Sequence, residues 1–423
     1  MPAADNESTI AIMRVVILML VVAVAIIAVA RRAYVPESVA LVVAGLVASA
    51  IRPDLRLGIT PGLVLAVLVP GLVFDAASRL RWHDLSRTLG VISLLALPGV
   101  LISAGVVALA LTWTTGLPFE LAFVVGAMAA ATDPVAVVAT FRRLQAPEQL
   151  ATIVEGESLL NDGTGLVLFA LAVRAVGSPI DLPSALLGFV ATVAVSVVVG
   201  LLGGAAAAWL IRRSGDRAVE ITVSIILAYG AYLIADAFGL SGIIATVIAG
   251  IVLRFRLEEV GDQRDTIESL DTIWAYVAFA LTALVFLIVG LSIKLDALWA
   301  AAAPILWAAA ALLLARAFIV YALVGGLARV RHALGAEALP ISWLHVVFWA
   351  GLRGAIATAA ALSLPADFPQ RSLLQGITFG IVLVTLLVQG VTAGPLVRRA
   401  LHAGRELGVL VVNSGAQLEI PDR

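Results

Sequence analysis

The chain has 423 residues, 62% of them hydrophobic and only 13% charged, with a formal net charge of −1. A soluble domain averages about 25% charged residues, so a mean hydropathy of +1.09 marks a polytopic membrane protein and excludes a soluble fold. The even charge balance implies no nucleic-acid partner, and the absence of cysteine excludes disulfides, thiolate metal sites and cysteine nucleophiles.

Thirteen apolar spans are predicted in chain order, over about 9–30, 37–52, 59–78, 88–113, 119–141, 150–173, 185–211, 218–237, 241–256, 271–293, 298–328, 341–364 and 373–397. The first run has no small-residue cleavage site after it and is read as a retained span, not a signal peptide. The loops are short, and no segment is polar and long enough for a soluble domain. Residues 1–399 therefore form one transmembrane domain, and 400–423 a short cytoplasmic tail. Alternate loops carry Arg31-Arg32, Arg142-Arg143, Arg212-Arg213 and Arg398-Arg399, whereas the other set holds only Arg52, Arg56, Arg174, Lys294 and Arg371. The positive-inside rule then places the N-terminus outside and the C-terminus in the cytoplasm. Thirteen spans also allow two inverted six-helix repeats, about 9–173 and 218–397, joined by a linker helix at 185–211. That build is common among secondary transporters.

Span five contains Thr132-Asp133-Pro134. Proline disfavours helical backbone at the residue before it and suits the first position of a helix. Asp133 is thus expected to end an unwound stretch and cap a second half-helix from Pro134. A simple proline kink is the plain alternative, but it leaves the acid unexplained. Carboxylates at membrane depth are costly and rare unless they serve an ion or proton path.

Span six reads Glu155-Gly156-Glu157-Ser158-Leu159-Leu160-Asn161-Asp162-Gly163. Helical spacing puts Ser158 and Asp162 on one stripe, and Glu157 and Asn161 on its neighbour. Oxygen ligands of this kind suit a hard monovalent cation, and desolvation favours the protonated form of a carboxylate. One acid able to hold either a cation or a proton is the minimum equipment for exchange. Ser158 and Asn161 fit equally well as polar contacts between helices. Glu155 lies near the span's start, facing a cytoplasmic funnel.

Arg353 in Gly351-Leu352-Arg353-Gly354 needs a buried acid, and Glu157 is the expected partner. The glycines there make a second helix break plausible, with Gly390 and Gly394-Pro395 as a rival position. Asp75 reaches the same cavity or pairs with Arg79, four residues on. Arg316 and Asp236 are read as structural pairs. The histidines His83, His332, His345 and His402 show no metal-ligand spacing.

Thr132-Asp133, the run Glu157 to Gly163, and Gly351-Leu352-Arg353-Gly354-Ala355 together resemble the sodium/proton antiporters of the NhaP and NHE type. The resemblance covers nearly the whole membrane chain. It implies a core domain and a dimerisation domain, with crossed, partly unwound helices holding the ion at mid-membrane. It makes Asp162 the cation- and proton-binding carboxylate, with Asp133, Thr132 and Ser158 completing a Na⁺ or Li⁺ site. Asp75 stands where the family often has Glu. Glu157 and Arg353 correspond to a buried structural ion pair. Asn161 stands where the electrogenic branch has a second Asp, which implies electroneutral one-for-one exchange. The expected protein is a homodimeric carrier in the plasma membrane. It is not an enzyme, and it needs no cofactor because the opposing gradient drives it. K⁺/H⁺ exchange is the alternative within transport. A cation channel and an intramembrane aspartyl enzyme using Asp133 and Asp162 are alternatives of other classes, and no filter-like repeat favours the channel.

Overall fold

A computed structural model describes residues 2–33, 35–52, 64–177, 181–259, 263–333 and 339–406. It is all helical where described. Helices α1 (Pro2–Arg32) and α2 (Glu37–Ile51) are followed by a π-helical turn, Val64–Leu68, that leads into α3 (Val69–Ser78). Residues 59–63, the expected start of the third span, lie outside the described residues. Helices α4 (Trp82–Ala96) and α5 (Pro98–Thr115) form one span bent at Leu97-Pro98. Helices α6 (Phe119–Ala130) and α7 (Val135–Leu144) are the two halves of span five. Then come α8 (Glu148–Ala175), α9 (Leu182–Ser214), α10 (Arg217–Ala237), α11 (Gly242–Glu258) and α12 (Arg264–Ser292).

Span eleven is α13 (Leu295–Ala300), α14 (Ala302–Ala317), a π-helical stretch Phe318–Val324, and α15 (Gly325–Ala333). Span twelve is split into α16 (Ile341–Trp349) and α17 (Ala355–Ser363). The last span is α18 (Arg371–Thr385), a π-helical turn Leu386–Gly390, and α19 (Val391–Glu406). Each of the thirteen expected spans therefore has a helical counterpart. Among the described residues, nine are long and apolar enough to cross a membrane by length and composition. The other four are short, crowded with arginine, or broken.

Proline and glycine decide where helices bend and where they touch. Pro98 at the start of α5 removes an amide donor and kinks the fourth span. Gly45 on α2 and Gly290 on α12 let two backbones meet directly, because a Cβ on Gly45 would lie 2.5 Å from the Leu287 carbonyl oxygen. Close approach through small residues is the usual basis of packing where lipid removes the hydrophobic drive. Helices α9, α10 and α11 pack with α3 around Trp274, whose ring meets Phe74 at 4.7 Å between centroids. The Trp274 indole N–H donates to Ser224 Oγ at 3.0 Å, which satisfies its one polar group. A second, larger core gathers α5, α6, α8, α14, α17 and α18 around the two broken spans.

Candidate ion-binding site

Spans five and twelve lose helical backbone at 131–134 and 350–354, and the two breaks meet. The Asp133 N–H donates to the Leu352 carbonyl at 2.8 Å. The Arg353 N–H donates to Thr385 Oγ1 at 3.1 Å. Unwound backbone inside a membrane persists only when its polar groups are paired or line a cavity, and these contacts pair them.

The side chains then serve each other's helices. Asp133 Oδ1 accepts from the Val135 N–H of its own half-helix, and Oδ2 from the Ala355 N–H of α17, both at 3.3 Å. One carboxylate thus sits at two positive helix ends. In return, Arg353 donates through Nη1 to the carbonyls of Ala130 (2.8 Å) and Ala131 (3.2 Å), the orphan acceptors at the C-terminus of α6. The half-helix begins at Val135, one residue later than expected. The second break falls at 350–354, not at the rival position. Gly390 closes a π-helical turn, and Pro395 is carried inside α19.

Gly354 makes this crossing possible. A Cβ there would overlap Asp133 Oδ2 and crowd the rest of that carboxyl group. Gly354→Ala is expected to displace Asp133 and uncap α17, lowering stability by about 1–3 kcal/mol. Thermal unfolding in detergent checks this. An unchanged melting temperature, with unchanged ion affinity, would mean the contact is dispensable.

Opposite the first break, α8 presents the predicted polar stripes. Ser158 Oγ donates to the Thr132 carbonyl at 2.7 Å. Asn161 Nδ2 donates to Thr132 Oγ1 at 2.6 Å, while Asn161 Oδ1 accepts the Thr132 N–H at 3.1 Å. Asn161 therefore reads both faces of Thr132 and pins the unwound strand to α8. An aspartate there would lose the amide donor. Thr164, missed in the sequence, fixes the same helix to the bend of span four by donating to the Ala96 carbonyl at 2.6 Å.

Asp162 differs from its neighbours. Among the described residues no protein group donates to its carboxylate, although it is half-buried. It lines a cavity of about 800 Å³ together with Thr132, Asp133, Ser158 and Gly354. The same cavity reaches Asp75, Glu155, Arg79 and Arg142 at its mouth. Glu155 is thus on the funnel wall, as expected. Asp75 lies on it too, but Arg79 holds it at 2.7 Å. Arg79 also donates to the Asp271 carbonyl (3.1 Å), and Arg254 bridges Asp271 to Glu258. Asp75 is therefore part of a charged rim.

One expected pairing is overturned. Glu157 is paired with Arg316 by both carboxylate oxygens, through Nη1 and through Nη2, the latter at 2.9 Å. Arg316 Nη2 also donates to the Val347 carbonyl at 2.6 Å. Both residues are buried. Arg353 is not the partner, because its guanidinium is drawn to the carbonyls left open at the end of α6. Asp236, proposed as a structural partner of this kind, is exposed at the end of α10 and far from this role. The signal for Arg316 was present in the sequence as an arginine inside a span. Only the fold decides which of the two arginines meets Glu157.

Comparison with known proteins identifies the family. The family described as "Sodium/hydrogen exchanger, transmembrane" matches residues 17–399. The chain is 34% identical over 373 residues to the Na⁺/H⁺ antiporter ApNhaP of Aphanothece halophytica, covering 86% of this chain and 70% of that one. It is 33% identical over 398 residues to the Na⁺/H⁺ antiporter NhaH of Halobacillus dabanensis, covering 91% and 96%. In fold it is similar to the sodium proton antiporter MjNhaP1 of Methanocaldococcus jannaschii, with TM-score 0.75 at 20% identity over 93% of this chain and 99% of that one. The chain is a multi-pass membrane protein that belongs to the transmembrane sodium/hydrogen exchanger family.

Proposed function

We propose that the protein exchanges Na⁺ or Li⁺ for H⁺ across the membrane by alternating access, with both ions competing for Asp162. The observation that carries this reading is a carboxylate free of protein donors among the described residues, on a cavity of about 800 Å³ that also borders the two broken helices. Ser158 Oγ and Thr132 stand beside it as further oxygen ligands. Asp133 and Arg353 hold the crossing, and Asn161 holds the unwound strand against α8. Asp75 and Glu155 tune the mouth of the funnel.

Charge balance supports one-for-one exchange. Asp133, Glu157 and Asp162 face Arg316 and Arg353, so the ionised cluster carries one net negative charge. One monovalent cation or one proton neutralises it, and a low-dielectric centre favours that neutral state. Spans 9–173 and 218–397 act as inverted repeats about the 185–211 linker, since the breaks fall in corresponding spans, five and twelve. The protein works as a homodimer in the plasma membrane, with its N-terminus outside and its C-terminus in the cytoplasm. Reporters at residue 5 and after Arg405 should read opposite sides, and the same side would remove the thirteen-span topology.

Na⁺-driven proton movement in proteoliposomes tests the function. The rate should not change with an imposed membrane potential, because no net charge crosses. A rate that climbs steeply with potential would refute electroneutrality. Proton movement on adding K⁺ but none on adding Na⁺ would assign K⁺ as the cargo.

A further inference from the structure

A second cavity, of about 420 Å³, lies beside the ion funnel, between α1, α2 and α12 on one wall and α7 and α19 on the other. It is separate from the Asp162 site, yet Glu37, Val135, Arg143, Phe279 and Thr282 border both cavities. Its chemistry is that of an anion receptor with an apolar floor. The amino end of α2 opens on it, and no side chain caps that helix. The first amides of a helix lack partners within it and favour negative charge. Ser38, in that first turn, is 3% exposed, and its hydroxyl has no hydrogen-bond partner. A buried, unpaired hydroxyl is costly unless a ligand meets it. Arg143 and Arg398 line the same cavity, and neither has a hydrogen-bond or ion-pair partner among the described residues. Glu37 is the one acid on the lining, and Arg31 already holds it at 2.8 Å.

The rest of the lining is hydrocarbon, including Ile27, Leu41, Phe279 and Val391. Phe279 and Val391 are 40% and 50% exposed. A soluble anion gains nothing from such walls, whereas an acyl chain does. We propose that this cavity binds an anionic membrane phospholipid, its phosphate on the amino end of α2, Ser38, Arg143 and Arg398. Guanidinium groups suit phosphate oxygens in bidentate geometry. The headgroup sits where Arg143 also borders the ion funnel. It therefore offsets the positive charge that opposes cation access and lowers the apparent KM for Na⁺.

The binding arm of the test is independent of the exchange reading, and the KM arm rests on it. Full-length protein in neutral detergent is titrated with phosphatidylglycerol, phosphatidylcholine or inorganic phosphate, and thermal unfolding is followed. Phosphatidylglycerol should raise the melting temperature by about 3–5 °C, and the other two should not. Ser38→Ala with Arg398→Gln should lose at least half of that rise. Arg398 is exposed, so Arg398→Gln alone serves if the pair folds poorly. An equal rise with phosphatidylcholine, or a full rise in the variants, would overturn the site. The same rise with inorganic phosphate would overturn the lipid and leave a free-anion site. In vesicles, phosphatidylglycerol should lower the KM for Na⁺ about two- to threefold relative to phosphatidylcholine, and less so for Arg398→Gln. Lipid binding without a KM change would overturn the coupling alone.

Discussion

Asp162→Asn is expected to abolish Na⁺-driven proton movement and to leave folding intact. The amide is nearly isosteric, and the native carboxylate accepts no hydrogen bond from the protein among the described residues, so no structural contact is lost with it. What is lost is the carboxylate that lines the cavity beside Thr132, Asp133 and Ser158 and is free to ionise there. The wild-type rate should fall by at least about 100-fold, the scale on which a transferred proton loses its acceptor. If Asp162 holds either ion as proposed, acidification of the wild type adds protons that compete with Na⁺ for the same oxygens. The apparent KM for Na⁺ should then rise as pH falls, while the maximal rate at saturating Na⁺ should change less. At high pH too few protons remain to return the carrier, so activity falls again. Proton flux in proteoliposomes, measured over a pH series at several Na⁺ concentrations, checks both statements. Exchange near the wild-type level in Asp162→Asn, with normal melting, would show that the site lies elsewhere. A KM for Na⁺ independent of pH would show that the two ions do not share one group.

Much of this site was legible in the sequence for local reasons. An acid before a proline in an apolar span specifies a capped break, and Asp133 is one. Ser158 and Asp162 share a helical stripe by their spacing alone. The thirteen spans follow from apolar run length and from arginine placement. What the sequence hides depends on which distant groups meet. Asp133 caps α17 as well as its own half-helix, and nothing near residue 133 announces Ala355. Arg353 looks like a charge in need of an acid, yet it satisfies carbonyls that exist only because α6 stops at Ala130. Asn161 looks like a neutral stand-in beside the ion, yet both ends of its amide are used on Thr132. The three π-helical stretches, near Leu65, Phe318 and Leu386, have no counterpart in the hydropathy pattern, because they arise where packing shifts the helical register.

The ion pair gives the largest expected effect on stability. Glu157 and Arg316 are joined through two hydrogen bonds and are buried at 2% and 6% exposure. Removing either partner strands a charge in a medium that solvates it poorly, which typically costs about 3–5 kcal/mol. Glu157→Ala is the more severe of the two, because it leaves Arg316 and the nearby buried Arg353 without the acid that lies between the two broken spans. Arg316→Ala also frees the Val347 carbonyl at the end of α16. The double variant Glu157→Ala with Arg316→Ala should be milder than the sum of the singles by about 1–3 kcal/mol. The matching cycle between Glu157 and Arg353 should show weaker coupling, since Arg353 spends its hydrogen bonds on Ala130 and Ala131. Arg353→Ala destabilises by a different route, exposing two orphan carbonyls at the C-terminus of α6. Unfolding of each variant in the same detergent, at one lipid-to-protein ratio, measures both cycles. Additive losses for Glu157 and Arg316 would mean that the pair is not a unit. Stronger coupling of Glu157 to Arg353 than to Arg316 would restore the pairing that motif order alone suggests.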